Sequence, residues 1–456
     1  MRGIEGALLV IEETRKGRFA SEALRRLKGM EAGDASLASS LVYAALRRQE
    51  MWRAVFEMSL KGGPKDGARP ERAPRQGRER SKDKSASLPP LVRDCLLLGT
   101  AGLLDLHHFA GGVLVNALLD RLKARSMGRW VPLVNAVLRD VGEQGRARAE
   151  ALRRSPELAD RALWAGVPTW SLPAWERSWP RGDLDRLLDL LPQPPASSLR
   201  PAPGTREELL GLLRGRGMEA DPSDVSGAVR LGTTVAPQDV PGFGRGLCTV
   251  QSEGSIIIGE LAADLWEGGP ILDMCSGRGV KAGQLLQARS DARIEGWELS
   301  KARHASAQRE MRRLGVADRA TLRQGDALQL SPQEPPSLII VDAPCSGSGT
   351  WSRKPDSKWR LDWERLDRLA GIQLALLERA MDICAPRGIM LYVTCSLLRR
   401  ECENVVAEAL SRHPGCVELP PPWSGRPFRR GRPWGTYIWP EGPWLDGFYC
   451  AVIMKR

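Results

Sequence analysis

At 456 residues, with 42% hydrophobic and 27% charged side chains, the chain is too long for one ordinary domain and apolar enough to bury two or three cores. Its 67 basic and 55 acidic residues leave a net charge of +12, which favours polyanionic partners because each neutralised phosphate releases counterions. No run approaches the ~18 apolar residues of a membrane span. The opening stretch MRGIEGALLVIEETRKGRFA is broken by Glu5, Glu12 and Glu13 and lacks the apolar core of a signal peptide, so a cytoplasmic protein with no membrane partner is expected. Nine cysteines without a CxxC pair, beside only four histidines, argue against a zinc site or a disulfide framework. No metal is expected, and any cysteine chemistry belongs to free thiols.

In chain order, residues 1–145 read as all-helical. Leu8, Leu9 and Val10, then Leu24 and Leu27, then Leu37, Leu41, Val42, Ala45 and Leu46 recur at helical spacing, as do the apolar positions of LVRDCLLLGTAGLLDL and VLVNALLDRLKAR. Within them, residues 61–87 are rich in Gly, Pro, Arg, Lys and Ser with almost nothing to bury, and predict a disordered basic insertion. Residues 146–195 continue as a helical linker in which Trp164, Trp170, Trp175 and Trp179 serve as packing anchors. The Pro-rich stretch LLPQPPASSLRPAPGTREELL opens a small α+β segment, 196–249, with a strand at SSLRP and a helix at REELLGLLRGRG.

From 250 to 456 the pattern alternates strand and helix. GPILDMC, ARIEGWEL, ATLRQGDAL, SLIIVDAPC and GIMLYVTCS are short apolar runs ending in polar or small residues, and helical stretches such as KARHASAQREMRRLG and LAGIQLALLERAMDIC follow several of them. This predicts a doubly wound α/β sheet, in which ligands bind beyond the carboxyl ends of the strands.

Chemistry-bearing residues fall at those ends. In LDMCSGRGVKAGQLL, Gly277 and Gly279 sit where strand turns into helix, so the backbone can approach a ligand and present N–H groups. Glu298, about 20 residues further on, is placed to accept both ribose hydroxyls of a nucleoside cofactor. Asp273 lies four residues ahead of Gly277, and Ala282 interrupts the G-x-G-x-x-G spacing of dinucleotide binders, so S-adenosylmethionine is favoured over NAD. Asp326, at the end of the next strand, either accepts from the adenine amino group or caps a turn. The fourth strand ends in VDAPCSGSGTWSRKPDSKW and the fifth in YVTCS, which brings Asp342, Cys345 and Cys395 to one rim. Two thiols and a carboxylate beside a methyl donor suit methylation at C5 of cytosine. A thiolate adding at C6 makes C5 nucleophilic, an acid near N3 stabilises the adduct, and a base removes the C5 proton. The bland alternative is two buried small hydrophobes.

The motifs DAPCSGSGTWSRKPD followed by KW, TCSLLRRECENV, VQSEGS and the closing DGFYCAVIMKR resemble the Sun/RsmB-type RNA (cytosine-5-)-methyltransferases. LVYAALRRQEMW and VPLVNAVLRDV look like the NusB-like RNA-binding domain of the bacterial RsmB branch, so the resemblance covers nearly the whole chain. It implies a NusB-like all-α domain, a small α+β RNA-recognition segment and a Rossmann-like methyltransferase domain acting on small-subunit ribosomal RNA. It also implies that Cys395 is the nucleophile, that Cys345 assists proton removal and product release, and that Asp342 stabilises the pyrimidine near the cofactor. Glu298 would hold the ribose and Asp326 the adenine. The cofactor loop would comprise Cys275, Ser276, Gly277, Arg278, Gly279, Val280 and Lys281. This loop departs from the family's usual Cys-Ala-Ala-Pro-Gly-Gly-Lys-Thr: Arg278 replaces Pro and Val280 replaces a Gly that a positive φ would favour.

Two other readings remain open at this point. A DNA cytosine-5 methyltransferase also carries Pro-Cys and Glu-Asn-Val, here Pro344-Cys345 and Glu403-Asn404-Val405, but in this chain the triplet falls in a predicted helix. An RNA-binding assembly factor with impaired catalysis would explain the altered cofactor loop. Neither oligomeric state nor target cytidine is readable from the residues.

Overall fold

The helical spacing of the first 190 residues is realised as a series of α-helices. Arg2–Arg15, Ala32–Arg47, Gln49–Leu60, Pro90–Asp105, Gly111–Ala124 and Val131–Arg153 turn their apolar stripes onto one core containing Leu8, Leu41, Val42, Trp52, Leu96, Leu118 and Val137. Leu158–Ala165, Leu172–Ser178 and Arg181–Leu190 continue the series. Trp175 is fully buried, and Trp164 packs against the main core under the guanidinium groups of Arg48 and Arg153.

The computed structural model describes residues 2–27, 29–60, 84–106, 110–421 and 423–456. Residues 61–83 of the basic insertion lie outside the described residues, whereas Lys84–Ser87 forms a 3-10 turn with Ser85 buried rather than disordered chain. Among the described residues no helix is long and apolar enough to cross a membrane.

Two compact units result: Met1–Pro192 together with Lys354–Arg360, and Gln193–Arg353 together with Leu361–Arg456. In the first, the last carbonyls of helix Ala32–Arg47 have no partner within the helix. The KW of the sequence motif supplies partners: Lys358 Nζ donates to the Arg47 carbonyl at 2.7 Å and Trp359 Nε1 to that of Leu46 at 2.6 Å. Asp356 accepts the Ala20 N–H at the start of helix Ala20–Arg25, at 2.8 Å. This motif segment is therefore a helix-capping element.

The second unit holds two sheets. The smaller joins β1 (Ser198–Pro201), β2 (Ala220–Pro222), β3 (Val229–Leu231) and β4 (Cys248–Val250) in the antiparallel order β2-β3-β1-β4, and Leu209, Leu210 and Leu213 of helix Arg206–Arg214 share its core. The larger contains the parallel strands β5 (Ile271–Asp273), β6 (Ile294–Glu298), β7 (Ala320–Gln324), β8 (Leu338–Asp342) and β9 (Ile389–Thr394), followed by β10 (Cys416–Leu419), β11 (Phe428–Arg430), β12 (Thr436–Ile438) and β13 (Phe448–Lys455). Its order is β11-β12-β13-β9-β8-β5-β6-β7, with β10 also pairing β13. The five parallel strands are those read from the apolar runs. The antiparallel extension was not foreseen; β13 is buried along most of its length and lacks a polar face to mark it as a strand added to an edge.

From β5 the chain proceeds through β6 to β7 on one side, then returns to β8 and β9 on the other. The switch point therefore lies between β5 and β8, where the carboxyl ends carry Asp273 and Asp342. In such sheets this is where a crevice opens.

Candidate active site

The register of β8 on β9 sets Asp342 beside Val393, so the loops leaving the two strands start side by side. Cys345 follows in one and Cys395 in the other, and their sulfurs are 3.3 Å apart. A disulfide requires about 2.05 Å, so both are free thiols, each half-buried. Gly349 N–H donates to the Cys395 carbonyl at 3.0 Å, and the Gly447 N–H of the closing DGF motif donates to Gly349 at 2.9 Å. A Cβ on Gly349 would meet the Gly447 carbonyl oxygen at 2.1 Å, so only glycine allows this approach. The adjacent Asp446 binds Arg353 Nε through both oxygens, at 2.7 and 2.8 Å.

Proton affinity differs strongly around the pair. The Cys345 thiol is raised well above its ordinary value by its hydrogen bond to Cys395, then by burial and by the charge Cys395 would carry. Asp342 pairs with Lys281, Oδ2 to Nζ at 2.6 Å. Burial pulls the Lys281 ammonium down, but Asp342, Asp273 and Cys395 outweigh it and hold the group above its usual value. Lys281, expected in the cofactor loop, is thus also coupled electrostatically to Asp342 and Cys395 at the reactive rim. Asp273 is buried, its Oδ1 has no hydrogen-bond partner, and burial reinforced by Asp342 pushes its carboxyl up to about 7.

The departing loop motif folds without strain at the replaced glycine. Gly277 and Gly279 take the left-handed conformations, φ 57° and 79°, while Val280 is simply the first residue of helix Val280–Ala288. An added Cβ at Gly279 would lie 2.6 Å from Met311 Cε, whereas at Gly277 it would make only an ordinary contact, 3.8 Å from the Cys275 carbonyl oxygen. Arg278 is exposed, and burial pushes the Cys275 thiol up. The Ser276 hydroxyl donates to the Trp297 carbonyl at 3.1 Å, which fastens the loop to β6. Arg200 donates to the Val280 carbonyl at 3.0 Å and to Gln251 of the VQSEGS motif at 3.2 Å. Glu298 Oε1 accepts from Ser300 N–H at 2.7 Å and Arg303 Nη2 at 2.8 Å. Asp326 is exposed beyond β7, and its Oδ1 accepts the Leu328 N–H at 3.0 Å, the capped-turn alternative weighed above. Asp273 was noticed in the sequence but not assigned a role; as a strand-end acid ahead of the glycines it carried a usable signal.

Comparison with known proteins bears on what this rim is for. The family described as 16S rRNA methyltransferase RsmB/F matches residues 261–454. Ribosomal RNA small subunit methyltransferase B of Klebsiella pneumoniae (strain 342) is 31% identical over 331 residues, which span 71% of this chain and 73% of the relative. The chain belongs to the RsmB/F family. The Thermus thermophilus protein of the same description is 29% identical over 98% of this chain and 96% of its own. A methyltransferase homolog protein from Pyrococcus horikoshii shares the fold with TM-score 0.56 and 24% identity, over 66% of this chain and all of that one. Membership of the RsmB/F family makes the protein an RNA methyltransferase that uses S-adenosyl-L-methionine. The residues at the switch point fit that cofactor: a buried Asp273 whose Oδ1 has no hydrogen-bond partner, glycines at the two left-handed turns of the loop, and an acid at the end of β6. The triplet Glu403-Asn404-Val405 opens helix Glu403–Arg412, and family membership leaves no role for the DNA reading.

Proposed function

We propose that this enzyme methylates C5 of a cytidine in RNA, with small-subunit ribosomal RNA as substrate, and that Cys395 is the covalent nucleophile. The observation that carries the reading is the 3.3 Å approach of two free thiols beside the Asp342–Lys281 pair. Cys275, Ser276, Gly277, Arg278, Gly279, Val280 and Lys281 would form the cofactor loop. Asp273 would accept from the cofactor's cationic end, Glu298 from its ribose, and Asp326 would lie toward the adenine. Bound there, S-adenosyl-L-methionine supplies an electrophilic methyl group.

The protein's residues would then act in order. Cys395 thiolate bonds to C6, and the electrons displaced toward N3 and O2 are stabilised by a proton that Asp342 relays to N3 from the Lys281 ammonium and takes back as C5 is methylated. C5 takes the methyl group and must lose its proton. While Cys395 is anionic, Cys345 is held protonated; once Cys395 is bonded to carbon, both the hydrogen bond and the neighbouring charge disappear. Burial and Glu401 still raise Cys345, but with both Cys395 effects gone it can pass its proton to solvent and accept that of C5, after which the C6–S bond breaks and Cys395 leaves as thiolate. The helical residues 1–145, NusB-like by sequence resemblance, would bind RNA, together with the segment 196–249.

Tritiated methyl transfer to unmodified ribosomal RNA, followed by nucleoside analysis, tests the proposal. Labelled 5-methylcytidine is expected. Label in any other nucleoside, or none, defeats it.

A further inference from the structure

The 3-10 turn Arg399–Glu401 places Glu401 beneath both cysteine loops, with its side chain fully buried. Its two oxygens receive four hydrogen bonds. Oε1 accepts Ser346 N–H at 2.7 Å and Gln373 Nε2 at 3.0 Å. Oε2 accepts the hydroxyls of Ser346 at 2.5 Å and Ser396 at 2.6 Å. Ser346 follows Cys345 and Ser396 follows Cys395. Gln373 also donates to the carbonyl of Pro344 at 2.8 Å, so the residues on both sides of Cys345 are tied to the same carboxylate. From the other side, Tyr392 of β9 donates to the Glu401 carbonyl at 2.7 Å, which fixes the backbone that carries the acid.

We propose that Glu401 is the positioning residue that sets the distance between the two thiols, a single carboxylate serving as the common anchor of both loops. This rests on the two-thiol mechanism above. A carboxylate suits the task because it is acceptor-only with about four lone-pair sites, all of them used here. A neutral amide keeps the shape but exchanges one oxygen for a donor, and so cannot receive both serine hydroxyls and both N–H groups. Burial raises the carboxyl's proton affinity above its ordinary value, and the hydrogen bonds from Ser346, Ser396 and Gln373 offset that rise only in part. The link is invisible at motif level. Nothing in LLRREC says that the buried side chain of the turn is the acid.

The test uses the full chain and the variant Glu401→Gln. Phenylarsine oxide condenses with two neighbouring thiols, losing its oxygen as water with both thiol protons, and the cyclic product needs both sulfurs close together. Wild-type protein should be bridged between Cys345 and Cys395, and Cys345→Ala should not. In Glu401→Gln, bridging should weaken at least tenfold, since both thiols survive but their spacing relaxes. Its kcat should fall about 100-fold, the typical effect of roughly 1 Å of misplacement, with KM for S-adenosylmethionine and RNA little changed. Wild-type-like bridging overturns the proposal even if turnover is lost, because the carboxylate would then act otherwise than by spacing. If Glu401→Gln does not fold, Ser396→Ala decides: a smaller loss of bridging and of kcat supports the anchor, and wild-type values overturn it. Absence of 5-methylcytidine from the wild-type reaction would defeat the proposed function alone, since bridging reads thiol spacing without any reaction.

Discussion

Replacing Cys345 with alanine should trap the enzyme on its substrate. The substitution removes a sulfur 3.3 Å from Cys395 and leaves the ends of β8 and β9 unchanged. Loss of one half-buried sulfur costs about 1 kcal/mol of stability, small against the 5–15 kcal/mol typical of folded proteins, so the variant stays native. Attack by Cys395 is retained. Release is not: Thr350 Oγ1, 4.0 Å from the Cys395 sulfur, is an alcohol and too weak a base, and Asp342 is engaged by Lys281. Removing a general base slows its step by about 10²–10⁴-fold, or roughly 3–5 kcal/mol of barrier. With formation nearly normal and decay slowed that far, most active sites should hold a covalent RNA adduct. The assay is a denaturing gel of Cys345→Ala incubated with S-adenosylmethionine and labelled RNA, beside wild type and Cys395→Ala. Adduct in Cys345→Ala and none in Cys395→Ala is expected. The reverse pattern would refute the division of labour between the thiols.

Asp273→Asn should stabilise the cofactor-free protein more at pH 8 than at pH 5. The folded carboxyl titrates at about 7 against an ordinary value of 3.8, so between those values the native state holds a proton that the unfolded chain has lost. Stability present at low pH is therefore lost as pH rises through 7, by up to about 4 kcal/mol; equal urea midpoint shifts at both pH values would contradict this. Gly349→Ala forces a Cβ into the Gly447 carbonyl and should cost about 1–3 kcal/mol of stability. Because Gly349 also holds the Cys395 carbonyl, kcat should fall further than thermal denaturation of the variant would account for, and unchanged kcat would count against the contact. Trp359→Ala removes a carbonyl cap and a half-buried ring from the helical unit, with an expected loss of about 2 kcal/mol in urea unfolding. A change below a few tenths would show that the cap is dispensable.

Much of the parallel sheet could be read in advance because β5, β8 and β9 are short apolar runs, each closed by a polar or glycine-rich turn. Asp342, Cys345 and Cys395 could be read for the same reason: strand ends are where such a sheet exposes its loops. The capping role of Lys358 and Trp359 could not. Their partners are backbone carbonyls more than 300 residues earlier in the chain, and a carbonyl has no identity in a sequence. Nor did the Val280 substitution reveal its own harmlessness, which depends on Gly277 and Gly279 taking the left-handed turns instead.

By itself the sequence determined which residues stand at the ends of which strands, because period and composition are local properties of the chain. Only the tertiary structure decided what those ends do to one another. Strand register brought two thiols 50 residues apart to 3.3 Å. Burial beside Asp342 raised Asp273, and one buried carboxylate, Glu401, gathered both cysteine loops. Distance, desolvation and shared hydrogen bonds arise between segments far apart in the chain, and they exist only once the sheet has formed.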